Sequence, residues 1–257
     1  MTTSLITGAS SGIGAVYARR LAARGHNLIL VARSTERLNA LALELAPRHG
    51  VTVEVLAADL VDDAQLEAVL DRLRADPPID MLVNNAGAAL LGDFTAADPA
   101  QMERLLRLNV VVPTLLASAA AGSMVARGSG AIVNVASVLA LLPEYARGIY
   151  PATKSYVLTL SQGLAAELGR KGVQVQAVLP AATRTEIYER AGGDISAISG
   201  VMEAEHLVDA ALVGFDRREL VTIPVVRDAA AWDDFERARG ALASDFGRAE
   251  PAPRYRP

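Results

Sequence analysis

A doubly wound α/β fold around a parallel sheet is the architecture that this sequence predicts. Two observations carry it. Short apolar runs with little polar alternation recur along the chain, the mark of strands covered on both faces. Helical patterns separate them one by one, and strand and helix taking turns gives a sheet wound on both sides by right-handed crossovers. The 257 residues, 51% hydrophobic and 21% charged, suit one large α/β domain. Such a domain buries roughly 70–75% of its unfolded surface and needs no disulfide or metal to hold it.

The elements follow in order. Leu5-Ile6-Thr7 is a short strand, followed by the glycine-bearing run Gly8-Ala9-Ser10-Ser11-Gly12-Ile13-Gly14 and a helix to about Arg24, where Gly25 is the stop. Asn27 to Ala32 is the second strand. Ser34 caps a helix to about Arg48, with Arg37 keeping its outer face polar. Val51 to Ala57 is the third strand, Asp62 to Ala75 a helix closed by Pro77-Pro78, and Ile79 to Val83 the fourth strand. A long helical region spans about Pro99 to Arg127. Ala131 to Val135, the helix Gly148 to Arg170 and Val173 to Leu179 complete the regular part. Residues 181–202 read as a mobile lid with one short helix. Glu203 to Phe215 is a helix, Leu220 to Val225 a last strand, and 226–257 a helical extension built on Ala229 to Ala243. With no linker and no repeat, 1–257 is expected to be one domain.

Composition excludes several classes of function. There are no cysteines, so thiolate catalysis and disulfide scaffolds are out and a reducing, cytoplasmic setting is expected. His26, His49 and His206 have no ligand spacing, and no metal site is expected. Net charge is −4 without a basic stripe, which argues against nucleic acid. Met1-Thr2-Thr3-Ser4 leads straight into a strand, so no leader is expected. The apolar stretch Leu108 to Ala126 is broken by Asn109, Pro113 and Thr114 and reads as a buried helix, not a membrane span.

The chemistry lies in two places. Gly8, Gly12 and Gly14 stand between the first strand and the first helix, where missing side chains let a pyrophosphate approach backbone N–H groups at a helix N-terminus. At the end of the second strand an acid would grip the ribose 2′-hydroxyl of NAD; Arg33 stands there, and an arginine can hold the 2′-phosphate of NADP, unless it is only solvated surface charge. Asp59, after the third strand, is open to two readings: an acceptor for the adenine amine or a helix cap. Further on, Tyr150 and Lys154 share a helix face four residues apart, with Ser137 thirteen positions before the tyrosine. An ammonium beside a phenol favours the phenolate and is expected to lower the tyrosine pKa by ~1–3 units, toward the range in which acid/base catalysts work.

Together these residues resemble the classical short-chain dehydrogenase/reductase family over most of the chain, to about Val225. Thr7 to Gly14 is similar to its Thr-Gly-x-x-x-Gly-x-Gly motif and Asn84-Asn85-Ala86-Gly87 to its Asn-Asn-Ala-Gly motif; Asn109, Ser137, Tyr150 and Lys154 match its catalytic tetrad in order and spacing. The resemblance implies a Rossmann sheet of seven parallel strands and hydride transfer between a nicotinamide and a carbonyl or alcohol carbon. Tyr150 would be the general acid/base, Ser137 a hydrogen-bond donor to the reacting oxygen, and Lys154 the holder of the nicotinamide ribose. Asn109 would bend its helix and seat a water; read from the residues alone, it is equally a helix asparagine bonded to a neighbouring strand. The implied cofactor contacts are Gly8, Ser10, Ser11, Gly12, Ile13, Gly14, Arg33, Asp59, Leu60, Asn85, Ala86, Gly87, Tyr150, Lys154, Pro180, Thr183 and Thr185, with NADP(H) preferred over NAD(H).

Three departures stand out. Thr153 replaces the serine of Tyr-x-x-Ser-Lys but keeps a hydroxyl, so little effect is expected. Pro151 falls in a helix's first turn, where N–H groups lack intrahelical partners. Pro180-Ala181 replaces Pro-Gly. The walls expected around a substrate are Ala88 to Leu91, Val138 to Ala140, Leu142 to Tyr145, Ile187, Tyr188 and Met202. Most are apolar and point to a hydrophobic ketone, aldehyde or secondary alcohol, with Glu144 either tuning the pocket or solvated. A homodimer through the helices around Val111–Ala126 and Tyr156–Leu168 is expected, with a tetramer as the alternative. A non-catalytic NADP-binding regulator is the rival function, and the intact tetrad argues against it.

Overall fold

The computed structural model describes residues 2–90 and 92–256. Two compact units divide the chain, Met1–Pro224 and Val225–Pro257.

In the first unit the order is β1 (Thr3–Thr7), α1 (Gly12–Ala23), β2 (Asn27–Ala32), α2 (Thr35–His49), β3 (Val53–Ala57), α3 (Asp63–Arg74) and β4 (Met81–Asn84). Then come α4 (Pro99–Leu106), α5 (Val112–Arg127), β5 (Gly130–Val135), α6 (Tyr150–Leu168) and β6 (Val173–Val178). The short elements β7 (Thr183–Arg184), α7 (Ile187–Arg190) and β8 (Met202–Glu203) precede α8 (Ala204–Asp216) and β9 (Val221–Thr222). Seven strands form one sheet in the order β3-β2-β1-β4-β5-β6-β9, and every neighbouring pair in it is parallel. This is the doubly wound seven-stranded Rossmann sheet that the sequence predicts.

Side chains alternate between the two faces of a strand, and the core divides accordingly. Ile6, Leu28, Leu30, Val83 and Val133 pack under α1, α2 and α8 through Val16, Leu21, Leu38, Leu45, Val208 and Leu212. Their neighbours in sequence, Leu5, Ile29, Val31, Leu82 and Ile132, face α3 and α5 through Leu66, Leu70, Leu73, Leu116, Ala120 and Met124. Two dry layers on one sheet fix the register of each strand, because a slip by one residue would exchange the faces.

Local chemistry sets the ends. Ser34 accepts from the Arg37 N–H to open α2, and Gly50, at φ 66°, closes it in the left-handed region. Pro151 occupies the first turn of α6 as expected. The last strand is shorter than expected, because Pro224 has no N–H to extend the ladder. The helical region from Pro99 to Arg127 is not one uniform helix: a π-helical turn, Arg107–Val111, separates α4 from α5. By length and composition that stretch could cross a membrane, with a mean hydropathy of 1.6. It nevertheless carries a buried face, with Leu105, Val112, Leu116, Ala117, Ala120 and Met124 packed inside the protein. Residues 181–202 hold more order than a loop with one helix: β7 pairs in parallel with β8 and ties the segment at its base.

In the second unit, α9 (Ala229–Ala241) is capped by Asp228, whose side chain accepts from the Ala230 N–H. Trp232 stacks on Phe235 with ring centroids 5.4 Å apart.

Candidate active site

Parallel strands deliver their C-terminal ends to one edge of the sheet, and ligands of open α/β sheets bind there. Gly8 follows β1, Arg33 follows β2, Asp59 lies just beyond β3, Asn85 follows β4, Ser137 lies beyond β5 and Pro180 beyond β6. Residues scattered over the chain are gathered on that edge by topology alone. Strand order reverses beside β1, which lies between β2 and β4, so the glycine turn and the Asn85-Ala86-Gly87 loop flank the crevice.

The glycine turn fits a diphosphate cradle. Gly8 and Gly12 adopt φ 67° and 51°, a region in which a side chain is strained. A Cβ on Gly14 would stand 2.3 Å from the Gly8 carbonyl oxygen. Ser11 opens α1 in extended conformation without capping it through its side chain. The first-turn N–H groups therefore remain for a ligand. Ile13 packs against the core beneath. Thr7 binds the turn to the opposite loop: its hydroxyl accepts from the N–H groups of Asn85 and Ala86, each at 3.0 Å. The Asn85 amide is spent on the Thr7 and Gly8 carbonyls at 2.9 and 3.4 Å, so its backbone, not its side chain, borders the crevice.

Across the crevice lies the second group. Asn109 sits in the π turn, 2% exposed. Its oxygen accepts from the Ala88 N–H at 3.0 Å, and its amide donates to the Ala88 carbonyl at 2.9 Å and the Thr153 hydroxyl at 3.1 Å. Asn109 therefore lies in a distorted stretch of helix, and its bonds go to the loop beyond β4 and to α6, not to a strand. Thr153 in turn donates to the Tyr150 carbonyl at 2.7 Å. Ser137 is buried; its hydroxyl donates to the Pro180 carbonyl at 3.4 Å and accepts from the Leu139 N–H at 3.2 Å. Lys154 is buried too, with Nζ donating to the Val135 carbonyl at 2.9 Å and lying 5.7 Å from the centre of the Tyr150 ring. A Cβ on Gly87 would be 3.3 Å from Asn109 Oδ1 and 3.5 Å from Lys154 Nζ, so these two side chains and the loop after β4 meet around a position that has no side chain.

The short chain dehydrogenase family model matches residues 2–195. The chain belongs to that family. This dehydrogenase is 56% identical to a short-chain dehydrogenase from Sphingobium yanoikuyae solved in complex with NADPH, with a TM-score of 0.97 and 100% of both chains covered. It is 48% identical to the bulky-bulky ketone specific alcohol dehydrogenase of Comamonas testosteroni, with a TM-score of 0.92 over 100% and 99% of the two chains. Galactitol 2-dehydrogenase (L-tagatose-forming) from Cereibacter sphaeroides is 37% identical, over 71% of each chain.

Electrostatics of the dehydrogenase site differ from the sequence expectation in one respect. Burial pushes the Tyr150 hydroxyl up, Tyr188 adds to the rise, and the polar Ser137 side chain opposes it without reversing it. The same burial pushes the Lys154 amine down to about 8. The ammonium was expected to make the phenol more acidic. In this structure the cost of desolvating a phenolate prevails.

Other expected contacts of the dehydrogenase divide by what they touch. Arg33 is exposed, and no hydrogen bond or ion pair joins it to another described residue, which leaves its guanidinium open to an anion. Asp59 does not cap α3; Asp62 does, accepting from the Gln65 N–H. The Asp59 carboxylate instead binds Arg104 at 2.7 Å and the Val61 N–H at 3.3 Å. Leu60 is buried in the core, so only its backbone is available at the edge. Ser10 and Ala86 lie partly buried on either side of the crevice. Thr183 is buried and donates to the Ala181 carbonyl. Thr185 lies directly over the glycine turn: a Cβ on Gly12 would come within 2.9 Å of its Cγ2.

Among the expected walls, Val138, Leu139, Ala140, Ile187, Tyr188 and Met202 are half-buried, whereas Leu142 and Tyr145 are exposed at 48% and 77%. Glu144 is exposed as well, in line with its solvated reading. Leu91 lies outside the described residues. Sequence reasoning missed the coupling of Thr153 to Asn109 and the electrostatic reach of Tyr188. It also missed the ion pair between Arg37 and Glu186, whose partners are 149 positions apart. Nothing local in the sequence signals a pair so far separated.

Proposed function

We propose that this dehydrogenase reduces bulky, hydrophobic ketones or aldehydes with NADPH and catalyses the reverse oxidation of the alcohols, with Tyr150 as general acid/base. The observation that carries the reading is one buried cluster at the ligand-binding edge of the sheet: Asn109 and Lys154 meet at Gly87, Asn109 binds Thr153 in the first turn after Tyr150, Lys154 lies over the Tyr150 ring, and Ser137 acts on the Tyr150 hydroxyl. Bound nicotinamide would supply or take the hydride. The chain does the rest. In reduction, Tyr150 gives its hydroxyl proton to the carbonyl oxygen as the carbon gains hydride, so one C=O π bond becomes a C–H and an O–H bond. Ser137 donates to the same oxygen and stabilises the charge that builds there. Lys154 would hold the nicotinamide ribose hydroxyls through its ammonium. Asn109 fixes the Ala88 segment and the first turn of α6, and the π turn around it seats the water that refills the proton on Tyr150.

NADP is favoured by the open Arg33 and the missing acid at the end of β2, and the NADPH-bound relative at 56% identity supports it. The apolar walls, with the bulky-ketone relative at 48% identity, support a large hydrophobic substrate. Val111, Leu115 and Tyr156, exposed at 40%, 40% and 39%, give the outer faces of the π turn, α5 and α6 the apolar character of a homodimer contact.

Tyr150→Phe tests the mechanism on a panel of ketones carrying two bulky substituents. NADPH binding stays as in the parent and turnover falls by roughly 10²–10⁴. Retained turnover in the variant refutes the proton assignment, and a parent inactive across the panel refutes the substrate class.

A further inference from the structure

An ion pair joins the start of α2 to the segment that follows β7. Arg37 lies in the first turn of α2, four residues beyond Arg33. Its Nη1 donates to both carboxylate oxygens of Glu186, at 2.8 and 3.0 Å. Glu186 follows Thr185, which stands against Gly12 of the glycine turn. The pair thus runs from the start of α2 to the segment lying on the start of α1.

The charges around this pair do not balance. One carboxylate serves two guanidinium groups, since Arg190 also pairs with Glu186, and Arg33 nearby in sequence has no partner among the described residues. The Arg37 and Glu186 side chains are 52% and 38% exposed, and ion pairs so exposed are weak. A phosphomonoester carries more charge than a carboxylate and accepts paired hydrogen bonds from a guanidinium. An arginine released from Glu186 therefore gains by moving to a phosphate.

We propose that Arg37 is a second determinant of NADP over NAD, held in reserve by Glu186 and transferred to the 2′-phosphate when the cofactor binds. The proposal rests on the NADP reading above. Transfer exchanges one ionic contact for another and frees Glu186 to Arg190 alone, so recognition of the phosphate also unfastens the 181–202 segment from α2.

Fluorescence titration of NADPH and NADH against the parent, Arg37→Gln, Glu186→Gln and the double variant tests this, with thermal melts to establish that each protein is folded. Arg37→Gln weakens NADPH by about 10–100-fold, the scale of hydrogen bonds to a charged group, and leaves NADH unchanged. Glu186→Gln tightens NADPH by roughly 2–5-fold, the scale of an exposed ion pair no longer competing, and has no effect when Arg37 is already glutamine. Equal weakening of both cofactors by Arg37→Gln would overturn the proposal, as would loss of NADPH affinity in Glu186→Gln, which marks a clasp that merely retains cofactor. A parent that binds NADH but not NADPH overturns the NADP reading itself.

Discussion

Thr153→Val removes a hydroxyl that two parts of the site share while nearly preserving the shape of the side chain. Thr153 is 1% exposed, so no water replaces what is lost. The Tyr150 carbonyl keeps its helical partner four residues on. Asn109 is left worse off: one amide hydrogen stays on Ala88, and the other, at 3.1 Å from the Thr153 oxygen, has no acceptor. A buried donor without a partner costs ~1–3 kcal/mol, offset by up to ~0.8 kcal/mol for the added apolar group. The expected net loss of about 1–2 kcal/mol lowers the melting midpoint by about 2–8 °C for a chain of this size. Turnover falls further than stability explains. Asn109 then loses one of the contacts that orient it, and a ~1 Å misplacement at a reacting group costs up to about 10²-fold. Thr153→Ser separates the two effects: it loses a buried methyl and about 1 kcal/mol but keeps turnover. Urea unfolding and steady-state kinetics on the three proteins decide. A valine variant with the parent's turnover refutes the idea that this hydroxyl positions the tetrad.

The remaining predictions concern charge and space. Arg33→Ala weakens NADPH by about 1.5–3 kcal/mol and spares NADH; equal loss for both in a binding titration removes the phosphate assignment. Lys154 has a folded pKa of about 8, below its ordinary 10.5, so the unfolded chain binds more protons between those values and stability rises with pH from about 8 upward. The gain is up to about 2–3 kcal/mol before tyrosines titrate near ~10; it disappears in Lys154→Met, and an identical pH dependence of unfolding in that variant contradicts it. Gly14→Ala gains ~1 kcal/mol of helix propensity in principle, but its Cβ would stand 2.3 Å from the Gly8 oxygen and 2.5 Å from Asn85 Nδ2. The turn is expected to open, with a lower melting midpoint and NADPH affinity down by more than about tenfold; a variant as stable and as tightly binding as the parent defeats the cradle argument.

Most of the sheet was legible because its signals are local. Apolar runs announce strands, and Ser34 and Gly50 announce the ends of α2 through their own hydrogen bonding and backbone angles. The residues on the ligand edge were legible for a different reason: parallel topology places every strand's end there whatever lies between. What stayed hidden depends on distance along the chain or on solvent. The Arg37–Glu186 and Asp59–Arg104 pairs join residues remote in sequence. The π turn at Asn109 has no period of its own in the sequence. The parallel pairing of Thr183 with Met202 involves strands too short to leave a pattern.

At the tyrosine, spacing and structure point in opposite directions. Four-residue spacing places an ammonium near a phenol and says nothing about how dry that place is. Burial penalises whichever form carries charge, so it raises the phenol and lowers the amine together. At neutral pH the result is a tyrosine held as the acid beside an amine still mainly protonated. That state is ready to donate a proton, which is the requirement of carbonyl reduction. Removing a proton from an alcohol through this tyrosine would need the tyrosinate, which burial disfavours. The amine sets the opposing limit: above about pH 8 it loses the charge that would steady a developing anion. One environment thus acts with opposite sign on two neighbouring groups.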